Sequence, residues 1–119
     1  MKILCPTLQT LGRYGKTGPP AQILFNGVNE NALILLFRRE GIEAKQQAPI
    51  TVYFEEEVVG NYYADILVED KVILEIKSVE NIIDAHIAQT LNYLKATGLR
   101  LAIILNFSKE KLEYKRIVK

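Results

Sequence analysis

Tyr62-Tyr63-Ala64-Asp65-Ile66-Leu67-Val68, then Glu69-Asp70-Lys71, then Val72-Ile73-Leu74-Glu75-Ile76-Lys77, has the pattern of two strands joined by a short polar turn. It predicts a strand from Val58 to Val68, interrupted near Gly60, and another from Val72 to Lys77. The three polar residues between them predict a tight hairpin connection. Side chains alternate along a strand, so Ile73, Glu75 and Lys77 share one face while Val72, Leu74 and Ile76 share the other. If Val68 and Val72 close the three-residue loop, Asp65 stands opposite Glu75, and cross-strand partners have Cβ atoms roughly 4.5–5.5 Å apart.

Upstream, Ile42 to Phe54 reads as a further strand, with Pro49 suggesting an edge position or a break. Before it lies a helix. Asn29 serves as the expected N-cap, Glu30 sits in the expected first turn, and Glu30, Leu33, Ile34 and Phe37 share a face. Arg38 and Arg39 close the helix and Gly41 follows as its C′ residue. Downstream, polar Ser78 to Asn81 leads into a helix with the apolar stripe Ile83, Ile87, Leu91 and Leu94, ended by Gly98. Leu101 to Phe107 is nearly continuous apolar sequence, expected of a strand covered on both faces. Tyr114 to Val118 is expected as a last edge strand. The order is helix, three strands, helix, strand, strand, which predicts an α/β fold with a mixed sheet. Residues 1–27 carry Gly12, Gly15, Gly18, Pro19, Pro20 and Gly27 and no sustained period. They are expected to be irregular, with a short strand at Ala21–Phe25, leaving residues 28–119 as the domain.

The chain has 119 residues, one domain's worth, and 49% of them are hydrophobic, enough for one core. Fifteen basic residues nearly balance 14 acidic ones, for a net charge of +1. That balance argues against a nucleic-acid binder driven by bulk positive charge, but not against a local basic patch beside carboxylates. The single cysteine, Cys5, cannot form an intramolecular disulfide. No secretory pattern and no apolar run of membrane-spanning length occurs, so the expectation is a cytoplasmic protein without a membrane partner.

Two facing carboxylates repel unless something positive lies between them, and a divalent cation is the simplest candidate. Lys77, on the same face, could then polarise a water or contact a phosphate. The competing reading is an exposed sheet face with a cross-strand ion pair, and Asp65, Glu75 and Lys77 alone leave the two about equal. On the second helix, His86, Gln89 and Tyr93 form a polar stripe beside the apolar one, as at the edge of a cleft. They read equally as boundary residues, and for His86 that reading is preferred because the chain has no second histidine. Glu30 could reach the carboxylates through water or serve only the helix dipole.

Taken together, these residues resemble the RecB-like branch of the PD-(D/E)XK nuclease superfamily. More narrowly, the run from Val28 to Lys119 is similar to the small prokaryotic family of GxxExxR proteins. The matching pieces are Glu30-Asn31-Ala32-Leu33, Gln47-x-Pro49-Ile50, Gly60-x-Tyr62-Tyr63-Ala64-Asp65, Val68-Glu69, Glu75-Ile76-Lys77, His86-x-x-Gln89, Leu91-Asn92-Tyr93-Leu94, Gly98 and Leu105-Asn106-Phe107. The resemblance implies a restriction-endonuclease-like core and magnesium- or manganese-dependent hydrolysis of nucleic acid, with DNA foremost. Asp65, Glu75 and the main-chain carbonyl of Ile76 would hold the metal, and Lys77 would assist the attacking water. Gln89 and Tyr93 would match the helix motif, and Glu30 the acid of the first core helix. Apart from the resemblance, Lys71, Lys95 and Arg100 are weaker candidates for backbone contacts, with surface solubilisation the preferred reading. The chain departs from the family at its start: residues 1–27 show no counterpart of the family's opening helix, and Asn29 stands in place of a tyrosine. A degenerate or frame-shifted start is one reading of this. The alternatives are a catalytically inactive module that binds nucleic acid or protein, and a homodimer whose partner completes the core.

Overall fold

The computed structural model describes residues 26–108 and 112–119. The segment expected to be irregular lies outside them, apart from Asn26 and Gly27, and so do the proposed strand at Ala21–Phe25 and Cys5. Helix α1 runs from Asn26 to Arg39. Strands β1 (Ala44–Phe54), β2 (Glu57–Val68) and β3 (Val72–Lys77) follow. Helix α2 (Asp84–Thr97) leads to β4 (Leu101–Phe107) and β5 (Leu112–Val118). One five-stranded sheet has the order β1-β2-β3-β4-β5, parallel between β3 and β4 and antiparallel elsewhere. The expected mixed sheet is therefore present, and α2 is the crossover that a parallel pair requires.

Alternation along β3 and β4 feeds two cores. Val72, Leu74, Ile76, Ile103 and Leu105 pack with Leu33, Ile34 and Phe37 of α1. Ile73, Ala102 and Ile104 pack with Tyr93 and Leu94 of α2. The helices thus cover opposite faces, and the central strands are buried on both, as the apolar run at Leu101–Phe107 predicts. Edge strand β1 carries Pro49, where a missing N–H costs no ladder bond on the outer side.

Both helices stop at glycines in the left-handed region, Gly41 (φ 71°) and Gly98 (φ 74°). The start of α1 differs from expectation. The helix begins at Asn26, so Asn29 is inside it and is not its cap, and Glu30 is beyond the first turn, which holds no acid. A dipole role for Glu30 is thereby removed, because that interaction fades within the first turn. At α2 the imidazole Nδ1 of His86 accepts the backbone N–H of Ile83 at 3.1 Å. His86 therefore closes a helix start, in the manner of the reaching-back half of a capping box.

One irregularity sets the shape of the site. β1 and β2 pair through Gln46↔Ile66 and Ala48↔Ala64 but skip Gln47 and Asp65, and Gln47 has φ 52°. On one side of this point Ala44, Ile66 and Val68 belong to the α1 layer. On the other, Ala48, Ile50 and Ala64 belong to the α2 layer. The hairpin turns over at Gln47–Asp65, so a side chain there can meet groups from both faces of the sheet.

Asn106, at the end of β4, is fully buried beside Lys77 in the parallel register. Its Oδ1 accepts the N–H of Val79 and its Nδ2 donates to the carbonyl of Val79, both at 2.9 Å. The amide thereby fixes the chain as it leaves β3. Asn106→Ala strands both main-chain groups and opens a cavity, and is expected to cost about 2–4 kcal/mol in urea denaturation.

Candidate active site

Between β2 and β3 the ladder runs Val68↔Val72, Leu67↔Ile73 and Ile66↔Leu74, and then ends. The next rung would set Asp65 against Glu75, as the three-residue loop predicts. The rung after that would join Ile76 to Ala64, but Ala64 has turned away to pair with Ala48. The sheet forks here, and the carboxylate of Asp65 takes over the lost contact: its Oδ2 accepts the N–H of Ile76 at 2.7 Å. In antiparallel pairing the N–H and C=O of a residue point toward the same neighbour. The carbonyl of Ile76 is therefore directed into the same fork.

Glu75 enters from β3 on the α2 face and is only 5% exposed. Its Oε1 is buried and has no hydrogen-bond partner among the described residues. Burial first, then the charge of Asp65, pushes its pKa up to about 8, while Lys77 pulls the other way and Glu30 adds a smaller repulsion. Tyr93 of α2 faces the same spot. Desolvation chiefly, with Glu75, Tyr62 and Asp65 contributing, raises its pKa above the usual phenolic value and keeps its hydroxyl protonated as a donor. Tyr93 also packs against Tyr62, with ring centroids 5.8 Å apart.

Glu30 comes from α1, on the opposite face. It is buried (7% exposed), and its carboxylate accepts from Gln47 Nε2 at 3.0 and 3.2 Å and from Gln46 Nε2 at 3.3 Å. The turned-over backbone at Gln47 aims that amide at Glu30 and so ties the first helix to the fork. Gln89 is solvent-exposed on α2, while Tyr93, one turn along, is buried. Of the polar stripe His86-Gln89-Tyr93, only Tyr93 meets the carboxylates. Lys71 and Arg100 lie at the other end of β3 and β4, where with Val72, Gly98, Leu99 and Leu101 they line a cavity of about 330 Å³. That cavity is no part of the carboxylate site.

Sequence reading gave no role to Gln46, Gln47, Tyr62 or Asn106. Asn106 carried a usable signal, since a lone amide ending an apolar central strand must find partners. The glutamines carried none, because their task depends on an unpaired backbone position.

Magnesium is commonly held by one or two carboxylates with water and substrate oxygens completing the shell. Asp65, Glu75 and the Ile76 carbonyl fit that donor set, and the buried Glu75 Oε1, without a hydrogen-bond partner among the described residues, is an oxygen that a cation would satisfy. Among the described residues no three His, Cys, Asp or Glu side chains form an all-protein cage.

A five-stranded mixed sheet between two helices, forked at an Asp, a Glu and a Lys, defines a restriction-endonuclease-like fold. The model of the PD-(D/E)XK nuclease superfamily matches residues 21–117, and the chain belongs to that superfamily. Such nucleases generally use divalent metal ions. No curated protein sequence matches the chain. Among solved structures it is similar to SSO0001, with a TM-score of 0.62 at 15% identity, covering 79% of this chain and 50% of that one. The chain therefore spans half the length of SSO0001. It is also similar to an alkaline exonuclease (LHK-Exo) from Laribacter hongkongensis, with a TM-score of 0.59 at 14% identity, over 99% of this chain and 68% of the other. Among the described residues no helix is long and apolar enough to cross a membrane.

The raised pKa of Glu75 links stability to pH. Its folded value, about 8, lies above its ordinary 4.5, so its contribution is full below about 4.5 and is lost as pH rises through about 8. Without divalent ions, the stability difference between wild type and Glu75→Gln should move in favour of the variant, by about 2–4 kcal/mol, between about pH 6 and about pH 9. Urea denaturation in EDTA at the two pH values reads this directly.

Proposed function

We propose that the chain hydrolyses phosphodiester bonds of nucleic acid, DNA foremost, with magnesium or manganese held at the fork. The observation that carries this reading is the buried, unpartnered Glu75 oxygen beside Asp65, where β2 and β3 part. Asp65, Glu75 and the Ile76 carbonyl would hold the ion. A bound divalent cation supplies Lewis-acid polarisation of a phosphoryl oxygen. Asp65 would be held for this by the Ile76 amide, which donates to its Oδ2. Lys77, in register with the clamped Asn106, brings positive charge to the phosphate and orients the attacking water. Tyr93 donates its hydroxyl at the edge of the same site, and Glu30 acts at one remove by holding Gln47.

We further infer a RecB-like member close to the GxxExxR proteins. The reading is supported by Tyr93 beside Glu75, with Gln89 one turn up on the solvent side, where an incoming strand would pass. A non-catalytic module is the second reading. It is favoured by the raised pKa of Glu75, since a carboxyl that stays neutral near pH 7 holds a cation poorly.

The test compares wild type, Asp65→Ala and Lys77→Ala on linear and plasmid DNA with Mg²⁺ and with EDTA. Asp65→Ala should abolish EDTA-sensitive cleavage. Lys77→Ala should lower kcat by about 10²–10³-fold while Mn²⁺ affinity, read by calorimetry, changes little. Equal cleavage by wild type and Asp65→Ala removes this site from the chemistry. Binding without any cleavage selects the module.

A further inference from the structure

Tyr62 has no part in holding metal, yet its ring is held on two sides beside the carboxylates. One side rests on Tyr93, at a centroid distance of 5.8 Å and an interplanar angle of 44°. Another rests on Gly60. A Cβ at Gly60 would stand 2.8 Å from Tyr62 Cε2 and 3.2 Å from its hydroxyl oxygen, so a larger residue there would push the ring from its place. Tyr62 is nevertheless 46% exposed. An aromatic ring braced from behind and open in front is a stacking surface, and stacking on such rings is how single strands are held with little regard to sequence.

Its position says which part of a substrate it would meet. Tyr93, which touches Tyr62, is also close to Glu75 and Asp65. A phosphate lying at the carboxylates therefore places a neighbouring nucleoside near Tyr62. A base inside a duplex has both faces covered by its neighbours, so only an unpaired or frayed base can use the ring. The acidic turn Glu55-Glu56-Glu57 at the tip of the same hairpin would repel a backbone running further along it, which confines the contact to the base of the arm.

We propose that Tyr62 is a substrate-positioning residue that stacks on an unpaired nucleobase next to the scissile phosphate, favouring single-stranded or frayed ends. This rests on the nuclease reading above. The experiment measures kcat/KM with Mg²⁺ on a single-stranded oligonucleotide and on the same backbone with abasic residues through its centre. The wild-type chain should favour the intact strand about tenfold. Tyr62→Ala should erase that preference, Tyr62→Phe should keep it, and Gly60→Ala should mimic Tyr62→Ala by displacing the ring. A purely structural loss lowers both rates together and leaves the ratio unchanged. Cleavage that depends on Asp65 but shows no preference in wild type, or an unchanged ratio in Tyr62→Ala, overturns the stacking role and leaves the nuclease reading intact. Failure to cleave either strand in an Asp65-dependent way overturns both.

Discussion

A single charge-assisted hydrogen bond, from the amide of Ile76 to the carboxylate of Asp65, bridges the fork where β2 and β3 part. Where β2 leaves β3, a backbone donor of a central strand would otherwise lose its partner, and a buried orphan donor is costly. Asp65 fills that place with a side chain. The same bond fixes the carboxylate beside Glu75 and turns a break in the ladder into a pair of convergent acids. Structural repair and the proposed metal site therefore meet in one carboxylate.

The turned-over hairpin explains how residues from opposite faces of a sheet reach one point. α1 and α2 never share a layer. Gln47, in its left-handed conformation, binds Glu30 of the first layer, whose charge reaches Glu75, while Tyr93 arrives from the second. A left-handed glutamine costs of order 1 kcal/mol. Its bonds to the Glu30 carboxylate offset that cost, so the strain persists where it is useful.

Much of this was legible in the amino acids. The limits of β3 and β4, the turn at Glu69-Asp70-Lys71, the C′ glycines and the division of Ile73, Glu75 and Lys77 from Val72, Leu74 and Ile76 all follow from periodicity and turn chemistry. The register of β2 against β3 follows from loop length, although the ladder stops at Ile66↔Leu74, one rung short of Asp65 and Glu75. The start of α1 did not follow, because Asn29 looks like a cap while nothing in Gly27-Val28 forbids the helix from running on to Asn26. The polar stripe on α2 was only partly readable. Helical spacing groups His86, Gln89 and Tyr93, but it does not reveal that one closes the helix start, one faces solvent and one is buried. The bond from Gln47 to Glu30 spans 17 residues and depends on a backbone twist that no local pattern encodes.

The irregular outer strand has a consequence for how this molecule lives among copies of itself. β1 is a sheet edge, and its hairpin arm exposes Tyr53, Phe54, Val58 and Val59. A long, flat, apolar edge is a template for intermolecular strand addition. Here Gln47 breaks the line of backbone groups, Pro49 removes a donor, and a bulge follows between Val52 and Tyr53. Three interruptions within seven positions leave no run long enough for another chain to zip onto. The distortion that brings the acids together thus also guards the β1 edge against strand addition.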